Sequence, residues 1–450
     1  MSSNTPTKRT APSNTSPAPP TAKKSRFVSS SPSTSTSSQS AFKWLPSIGA
    51  RRSLVHGING NPQPSSKIAA FDFDQALVRP SGGGKWYDSP VGWELWQPHR
   101  PEAVEGEEEE ESPVVDRLRE LHADGFSIVI FTTRVGENDQ WKHFSPTVRG
   151  LADALKVPFR LFCARDYDIY RKPVYGAWLE FVQNWNGGKE VDVSKSFYVG
   201  DASGKGKSIA DWDRKFARNI GVPFHRPEEF FCGAPRSEYT YKGFLSATYK
   251  DPDYLFSPTK TPLIPRPASE FDEPILDFVL FVGAPRSGKT TFFEKHFAQY
   301  GYIRISGNDL YSSIRKHLTS SPSSNLVVDS LLPNRASRSR LIRLVRQLPP
   351  SHRIRAFHFT APEELCKHNN VFAVLFEPDG GGEKGKKREL TTEGEYRAYY
   401  GALEVPSTEE EDLDEVKQIN FQYDHSLGGP ERFKQWKMFL NCYPRPAVKK

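Results

Sequence analysis

Short runs of β-branched and aromatic residues alternate with longer amphipathic stretches along most of this 450-residue chain. In its first half, Lys67–Asp72, Ser127–Thr132 and Ser196–Gly200 read as strands, with helix-like stretches between them. In its second half the same role falls to Phe278–Gly283, Tyr302–Ser306, Asn325–Asp329, Ile354–Thr360 and Val416–Tyr423. Strands separated by helices imply parallel sheets covered on both faces, so the expected class is α/β with two parallel-sheet domains. Reactive groups in such sheets gather beyond the carboxyl ends of the strands.

Composition sets the boundaries. Of the first 40 residues, 26 are Ser, Thr or Pro, too little apolar surface to offset the entropy of ordering them. Residues 1–60 are read as a disordered basic tail and 61–250 as the first domain. Residues 251–274, with six prolines, are read as a linker, and 275–450 as the second domain. The net charge of +7 is unevenly placed, because residues 1–71 hold nine Lys or Arg and no acid, which leaves 7 − 9 = −2 for the rest. Any groove for a polyanion in the folded part must be a local patch. Within the tail, Lys8-Arg9 and Lys23-Lys24-Ser25-Arg26 have the look of a bipartite nuclear import signal, so a nuclear location is expected. Four scattered cysteines exclude a disulfide framework or a cysteine-rich zinc site. No apolar run approaches the roughly 18 residues of a membrane span, so no membrane partner is expected.

Candidate chemistry sits where the strands end. Ile68-Ala69-Ala70-Phe71 runs into Asp72-Phe73-Asp74, two carboxylates that share one face of an extended strand. Like charges this close are costly unless a cation or a shared proton relieves them, and magnesium does so with oxygen ligands alone. Ile128-Val129-Ile130-Phe131 runs into Thr132-Thr133-Arg134, Arg171-Lys172 supplies cations before a helix-like stretch, and Ser196–Gly200 runs into Asp201. A carboxylate pair, a hydroxyl, a lysine and a further acid, in that order, resemble the haloacid dehalogenase-like phosphatases. Tyr170-Arg171-Lys172-Pro173, Tyr198-Val199-Gly200-Asp201-Ala202 and the stretch from Asp213 to Phe231 narrow the likeness. Over about Lys67 to Gly243 the chain resembles the phosphatase half of the polynucleotide kinase 3′-phosphatase family.

That resemblance implies a Rossmannoid phosphatase domain with Asp72 as nucleophile and Asp74 as general acid and base. It implies Thr132 and Lys172 on the phosphoryl oxygens, Arg171 toward the substrate phosphate, and Asp72, Asp201 and the Asp74 carbonyl around magnesium. Asp213 is a more distant candidate. Gln75-Ala76 stand where the family carries Gly-Thr or Ser-Thr, and Thr133-Arg134 where it carries Asn-Gln. Trp86, Trp93 and Trp96 are candidates for stacking a frayed terminal base.

In the second domain the strand Phe278–Val282 leads into Gly283-Ala284-Pro285-Arg286-Ser287-Gly288-Lys289-Thr290 and a helix-like stretch, a phosphate-cradling P-loop. Gly283, Arg286, Ser287, Gly288, Lys289, Thr290 and Thr291 are the candidate ATP contacts, with the Thr290 hydroxyl on magnesium. Asp329, the segment Pro333–Arg340, His368-Asn369-Asn370 and Tyr396–Tyr400 resemble the kinase half of the same family. The resemblance implies Arg338 and Arg340 as phosphate or substrate clamps and a carboxylate base after the second strand. An ungapped reading puts Asn308 at that position, so Asp309 is the candidate base.

The function implied is repair of nucleic-acid ends, with 3′-phosphate removed and 5′-hydroxyl phosphorylated from ATP so that a ligase can act. The expected partners are DNA ends and the ligase machinery, for a monomer. No forkhead-associated domain is recognised. The alternative is an active 3′-phosphatase whose second domain has decayed to a nucleotide- or DNA-end-binding module.

Overall fold

The computed structural model describes residues 41–81, 92–98, 112–134, 138–205, 210–265, 275–377, 389–409 and 411–440. The chain forms two compact units divided between Lys242 and Gly243. Both import-signal clusters and Trp86 lie outside the described residues.

The first unit holds strands β1 (Phe42–Ile48), β2 (Leu54–Asn59), β3 (Ile68–Phe71), β4 (Val78–Pro80), β5 (Trp93–Leu95), β6 (Ser127–Thr133), β7 (Phe159–Ala164), β8 (Phe197–Val199) and β9 (Phe224–His225). Its main sheet has the order β1-β2-β7-β6-β3-β8-β9, parallel from β7 to β9 with an antiparallel hairpin, β1-β2, added to the β7 edge. Helices α1 (Val114–Ala123), α2 (Asn138–Leu155), α3 (Gly176–Glu180), α4 (Trp212–Ile220) and α5 (Pro227–Cys232) accompany it. The central strand shows why the sequence reads as a continuous apolar run. Ala69 and Phe71 point into one core with Leu118, Ile130 and Val148, while Ile68 and Ala70 point into another with Val129, Phe181 and Phe216. A strand with two buried faces has no polar side to show.

The hairpin corrects the expected tail. Residues 42–59 belong to the first sheet, with Phe42, Leu54 and His56 buried and β2 paired to β7 from Leu54↔Ala164 to Asn59↔Phe159. Lys43, Arg51 and Arg52 gave this stretch the charge of the tail, but its Ser/Thr/Pro bias stops at residue 40.

The second unit holds β10 (Phe256–Ser257), β11 (Asp277–Val282), β12 (Ile303–Ile305), β13 (Leu326–Asp329), β14 (Arg353–Phe359) and β15 (Glu415–Ile419), in the order β10-β15-β14-β11-β13-β12. All pairings are parallel except β10 with β15. Its helices are α6 (Lys289–His296), α7 (Leu310–Ser320), α8 (Arg335–Arg346), α9 (Glu363–Phe376), α10 (Glu393–Gly401) and α11 (Gly429–Trp436). Alternate residues of β11 again serve two cores, Phe278, Leu280 and Val282 on one side and Val279 and Phe281 on the other.

The expected linker is corrected as well. Its first part belongs to the second unit, because β10 forms the sheet edge and Lys417 donates to the carbonyls of Pro258 (3.1 Å) and Thr261 (2.8 Å). Prolines are compatible with an edge strand, where the missing N–H costs no ladder bond. Among the described residues no helix is long and apolar enough to cross a membrane.

Candidate functional sites

In the first unit, β3, β6 and β8 end side by side, so Asp72, Thr132 and Asp201 arrive at one rim. Backbone bonds set the entry: Asp72 N–H donates to the Val199 carbonyl (2.8 Å). The next turn is closed by the backbone N–H groups of Gln75 on Val78 and of Leu77 on Phe73, with Ala76 fully buried. The loop is thus held without the hydroxyl that Gln75-Ala76 lack.

Lys172 lies at the centre of the cluster. Its buried ammonium is 2.8 Å from Asp72 Oδ1 and 2.6 Å from Asp213 Oδ1, and donates to the Tyr198 hydroxyl at 2.9 Å. Asp213, at the start of α4, also accepts from the Tyr198 hydroxyl (3.1 Å) and the Ala202 N–H (3.1 Å). Burial opposes the charge on Lys172, and Asp213 and Asp72 outweigh it, so its pKa is raised. Gly200 makes room for this packing: a Cβ there would lie 2.7 Å from the Asp213 carboxyl carbon.

Oxygens of Asp72, Asp201 and Asp213 all lie within 4.8 Å of one another. Desolvation and then Asp213 raise the Asp72 pKa well above the carboxylate range, against the pull of Lys172. Asp201, open to solvent on its outer side, is pushed up to about 7 by desolvation and by Asp213. Three crowded carboxylates with one lysine are short of positive charge, and this all-oxygen donor set fits a hard divalent cation.

Six side chains depart from expectation. The Asp74 side chain is not among the carboxylates that lie within 4.8 Å of one another, and it is held bidentately by the Arg134 guanidinium. Asp213, expected at a distance, is a full member. Arg134 stands in the sequence as a departure from the family pattern and Tyr198 as part of a family-like stretch, and neither is expected to touch the cluster's carboxylates. Trp93 and Trp96 are core residues rather than stacking platforms, Trp96 being buried and Trp93 packed against the same cluster. The Arg171 guanidinium stacks 4.3 Å from the Tyr167 ring, and among the described residues its buried Nε and Nη1 have no hydrogen-bond partner. Donors left in that state suit an anionic ligand.

In the second unit the P-loop joins β11 to α6. Gly288 caps the helix at φ +99°, and a Cβ on Gly283 would come within 2.7 Å of Ser287 Oγ and 2.8 Å of Phe359. Lys289 Nζ donates to the carbonyls of Gly283 (2.8 Å) and Ala284 (2.7 Å), so the ammonium folds into the loop it would share with a phosphate. Burial lowers its pKa to about 8, with Asp329 opposing. Thr290 donates to Asp329 (2.6 Å), a hydroxyl–carboxylate pair suited to a divalent cation, and Arg304 lies 3.3 Å from the same carboxylate. A cavity of 1010 Å³ opens beside Arg286–Thr291, walled by Phe421, Tyr423 and Trp436.

Within His368-Asn369-Asn370, Asn369 braces this loop. Asn369 donates to the Arg286 carbonyl (3.2 Å) and accepts from Trp436 Nε1 (2.8 Å), and burial lowers the His368 pKa to about 4. Arg338 is corrected: it is fully buried, paired with Glu411 and bonded to the carbonyls of Leu332 and Pro333, which leaves it unable to clamp a substrate. Arg340 is exposed, its guanidinium 4.8 Å from the Tyr311 ring. Asp309 is exposed and caps α7, accepting from Ser312 N–H at 3.1 Å, which lowers its pKa. Gly307, at φ +109°, turns the chain out of the strand just before it.

Residues 67–231 match the family model described as polynucleotide kinase 3 phosphatase. A bifunctional polynucleotide phosphatase/kinase of Schizosaccharomyces pombe is 29% identical over 329 residues, covering 70% of this chain and 72% of that protein. A relative from Acanthamoeba polyphaga mimivirus, whose name carries the same two activities, is 26% identical and covers 86% of this chain and 92% of its own. The polynucleotide 3′-phosphatase ZDP of Arabidopsis thaliana is 34% identical over 195 residues, 39% of this chain and 25% of that one.

Proposed function

We propose that this chain, whose residues 67–231 carry the polynucleotide kinase 3 phosphatase domain, removes 3′-phosphate from nucleic-acid ends and phosphorylates their 5′-hydroxyl groups from ATP. The observation that carries the reading is the presence in one chain of an Asp72–Lys172–Asp213 cluster and a P-loop with its lysine, each at the carboxyl ends of a parallel sheet. The two named bifunctional relatives, matched over most of their length, support the pairing of activities.

In the first site an Asp72 oxygen attacks phosphorus. The P–O bond to the sugar breaks, and the leaving oxygen takes a proton from Asp74. Lys172, already 2.8 Å from Asp72, is placed to meet the phosphoryl oxygens, with the buried Thr132 hydroxyl beside them. Water then attacks the aspartyl-phosphate, gives its proton to Asp74 and releases phosphate. Asp72, Asp201 and Asp213 would hold magnesium, which supplies positive charge to the phosphoryl group when bound.

In the second site the loop N–H groups and Lys289 hold the ATP phosphates, and Thr290 with Asp329 would hold a second magnesium. The basic clusters of the tail favour the nucleus, and both products are what a DNA ligase needs, which makes break repair the fitting context. The direct test is a duplex with a nick bearing 3′-phosphate and 5′-hydroxyl, incubated with magnesium and ATP. Conversion to 3′-hydroxyl and 5′-phosphate is expected, and an unaltered nick overturns the reading.

One observation favours the alternative of a decayed kinase. Asn308 stands at the position of the base, and the neighbouring Asp309 carboxylate is engaged as a helix cap. Asp309→Asn separates the two roles, because asparagine caps a helix as well as aspartate but accepts no proton. If Asp309 is the base, this variant loses at least about a hundredfold in 5′-phosphorylation while its ATP affinity and melting temperature hold. An unchanged rate assigns Asp309 to the cap alone.

A further inference from the structure

We propose that Arg134 is a phosphate-binding residue of the first site, held in place by Asp74 until the terminal phosphate of the substrate takes over its guanidinium. The proposal rests on the phosphatase reading of that site. Arg134 follows β6 directly, and its fork engages both Asp74 oxygens. Its Nη1 also donates to the Thr133 carbonyl at 3.1 Å and reaches Thr132 Oγ1 at 3.5 Å. Thr132 is the hydroxyl assigned to a phosphoryl oxygen, so a full positive charge already borders the place where phosphate must sit.

The cation is built in. Its guanidinium carbon lies 4.7 Å from the Phe144 ring centroid and 5.8 Å from that of Phe73, which limits how far it swings. Only 17% of its side chain is exposed, against 22% for Asp74. Its backbone is anchored too, N–H to the Ala164 carbonyl at 2.9 Å.

A guanidinium fork matches two oxygens of a carboxylate or of a phosphate equally well. A phosphomonoester dianion carries twice the charge of a carboxylate, so it outcompetes Asp74 for the fork once Lys172 and Thr132 have drawn it in. While the fork holds Asp74, both carboxyl oxygens are engaged and neither is free to meet a leaving sugar oxygen. Transfer of the fork to the phosphate frees the Asp74 carboxylate, which takes up a proton from water and can then hand it to the leaving sugar oxygen. An internal phosphodiester, with one charge and two substituents, offers no such exchange. The latch thereby reads a terminal phosphate, which is a substrate criterion set by charge rather than by base sequence.

The test uses the full chain with magnesium and p-nitrophenyl phosphate. Its leaving group departs without a proton, so phosphate binding is read apart from Asp74. Inorganic phosphate serves as competitive inhibitor. In Arg134→Gln the inhibition constant for phosphate and the KM are expected to rise together by about tenfold or more. Arg134→Lys, which keeps the charge without the fork, should fall between this variant and the parent, and it carries the test if Arg134→Gln does not fold. An inhibition constant unchanged in either folded variant, with only kcat on a 3′-phosphate oligonucleotide reduced, overturns the proposal and leaves Arg134 as a prop for Asp74. A parent chain that hydrolyses neither compound overturns the phosphatase reading itself, and does so before any variant is made.

Discussion

Asp72→Asn is expected to lose 3′-phosphate removal by roughly four orders of magnitude or more, while nucleotide binding in the second unit is untouched. The amide matches the carboxylate in size but has no oxygen able to form the acyl-phosphate. The fold should not suffer. Asp72 is crowded by Asp213, and its pKa is raised first by desolvation, so its ionised form is a net cost to the native state at neutral pH. A carboxyl whose folded pKa lies above its unfolded value destabilises the fold once pH exceeds the unfolded value. Removing that charge is therefore neutral or stabilising without metal, and Lys172 keeps Asp213 as its partner. A rapid-quench assay on a 3′-phosphate oligonucleotide, paired with a melting curve, checks both halves of the expectation. Substantial residual turnover would remove Asp72 from the nucleophile's role.

Lys289→Ala is the counterpart in the second unit. It should lower 5′-phosphorylation by on the order of 10²–10³ and leave 3′-phosphate release unchanged. The same lysine predicts a pH dependence. Burial places its pKa at about 8 without nucleotide, and phosphate oxygens would raise it. Below that value the ammonium is already charged and affinity is flat. Above it, binding requires proton uptake, so ATP affinity falls by up to about tenfold per pH unit until the pKa of the complex is reached. Calorimetric titrations between pH 7 and 9.5 read this slope. An affinity that stays level across the range, or a slope that persists in Lys289→Ala, would assign the proton to another group.

What was legible in the sequence followed from local pattern. The strands ending in Asp72, Thr132 and Asp201 were readable because a doubly buried strand is an uninterrupted apolar run, and the glycine spacing of the P-loop states its own geometry. Lys172 was readable by order along the chain, and it does meet Asp72. The β1-β2 hairpin was hidden because an edge element borrows its burial from β7, more than a hundred residues later. Arg338 was misread for a related reason. Its charge suggested a ligand, but its partner Glu411 lies in an acidic run 73 residues away that gave no sign of turning inward. Asp213 and Arg134 were undervalued because their importance comes from whom they touch, and contacts between segments far apart in the chain leave no trace in spacing.

The tie between Asn369 and Trp436 bears on how the protein is made. Trp436 Nε1 donates to Asn369, which in turn holds the Arg286 carbonyl of the P-loop. The loop begins at Gly283, so 436 − 283 = 153 residues must follow it before this brace exists. At the usual pace of roughly 5–20 residues per second, the loop waits some tens of seconds or less for its last support. Every side chain of the first cluster, by contrast, has been synthesised by Asp213. A nascent chain therefore carries every residue of the first cluster well before it can brace the P-loop. A chain cut short by stalled synthesis after Asp213 and before Trp436 would hold the first cluster's residues and lack the second unit's brace.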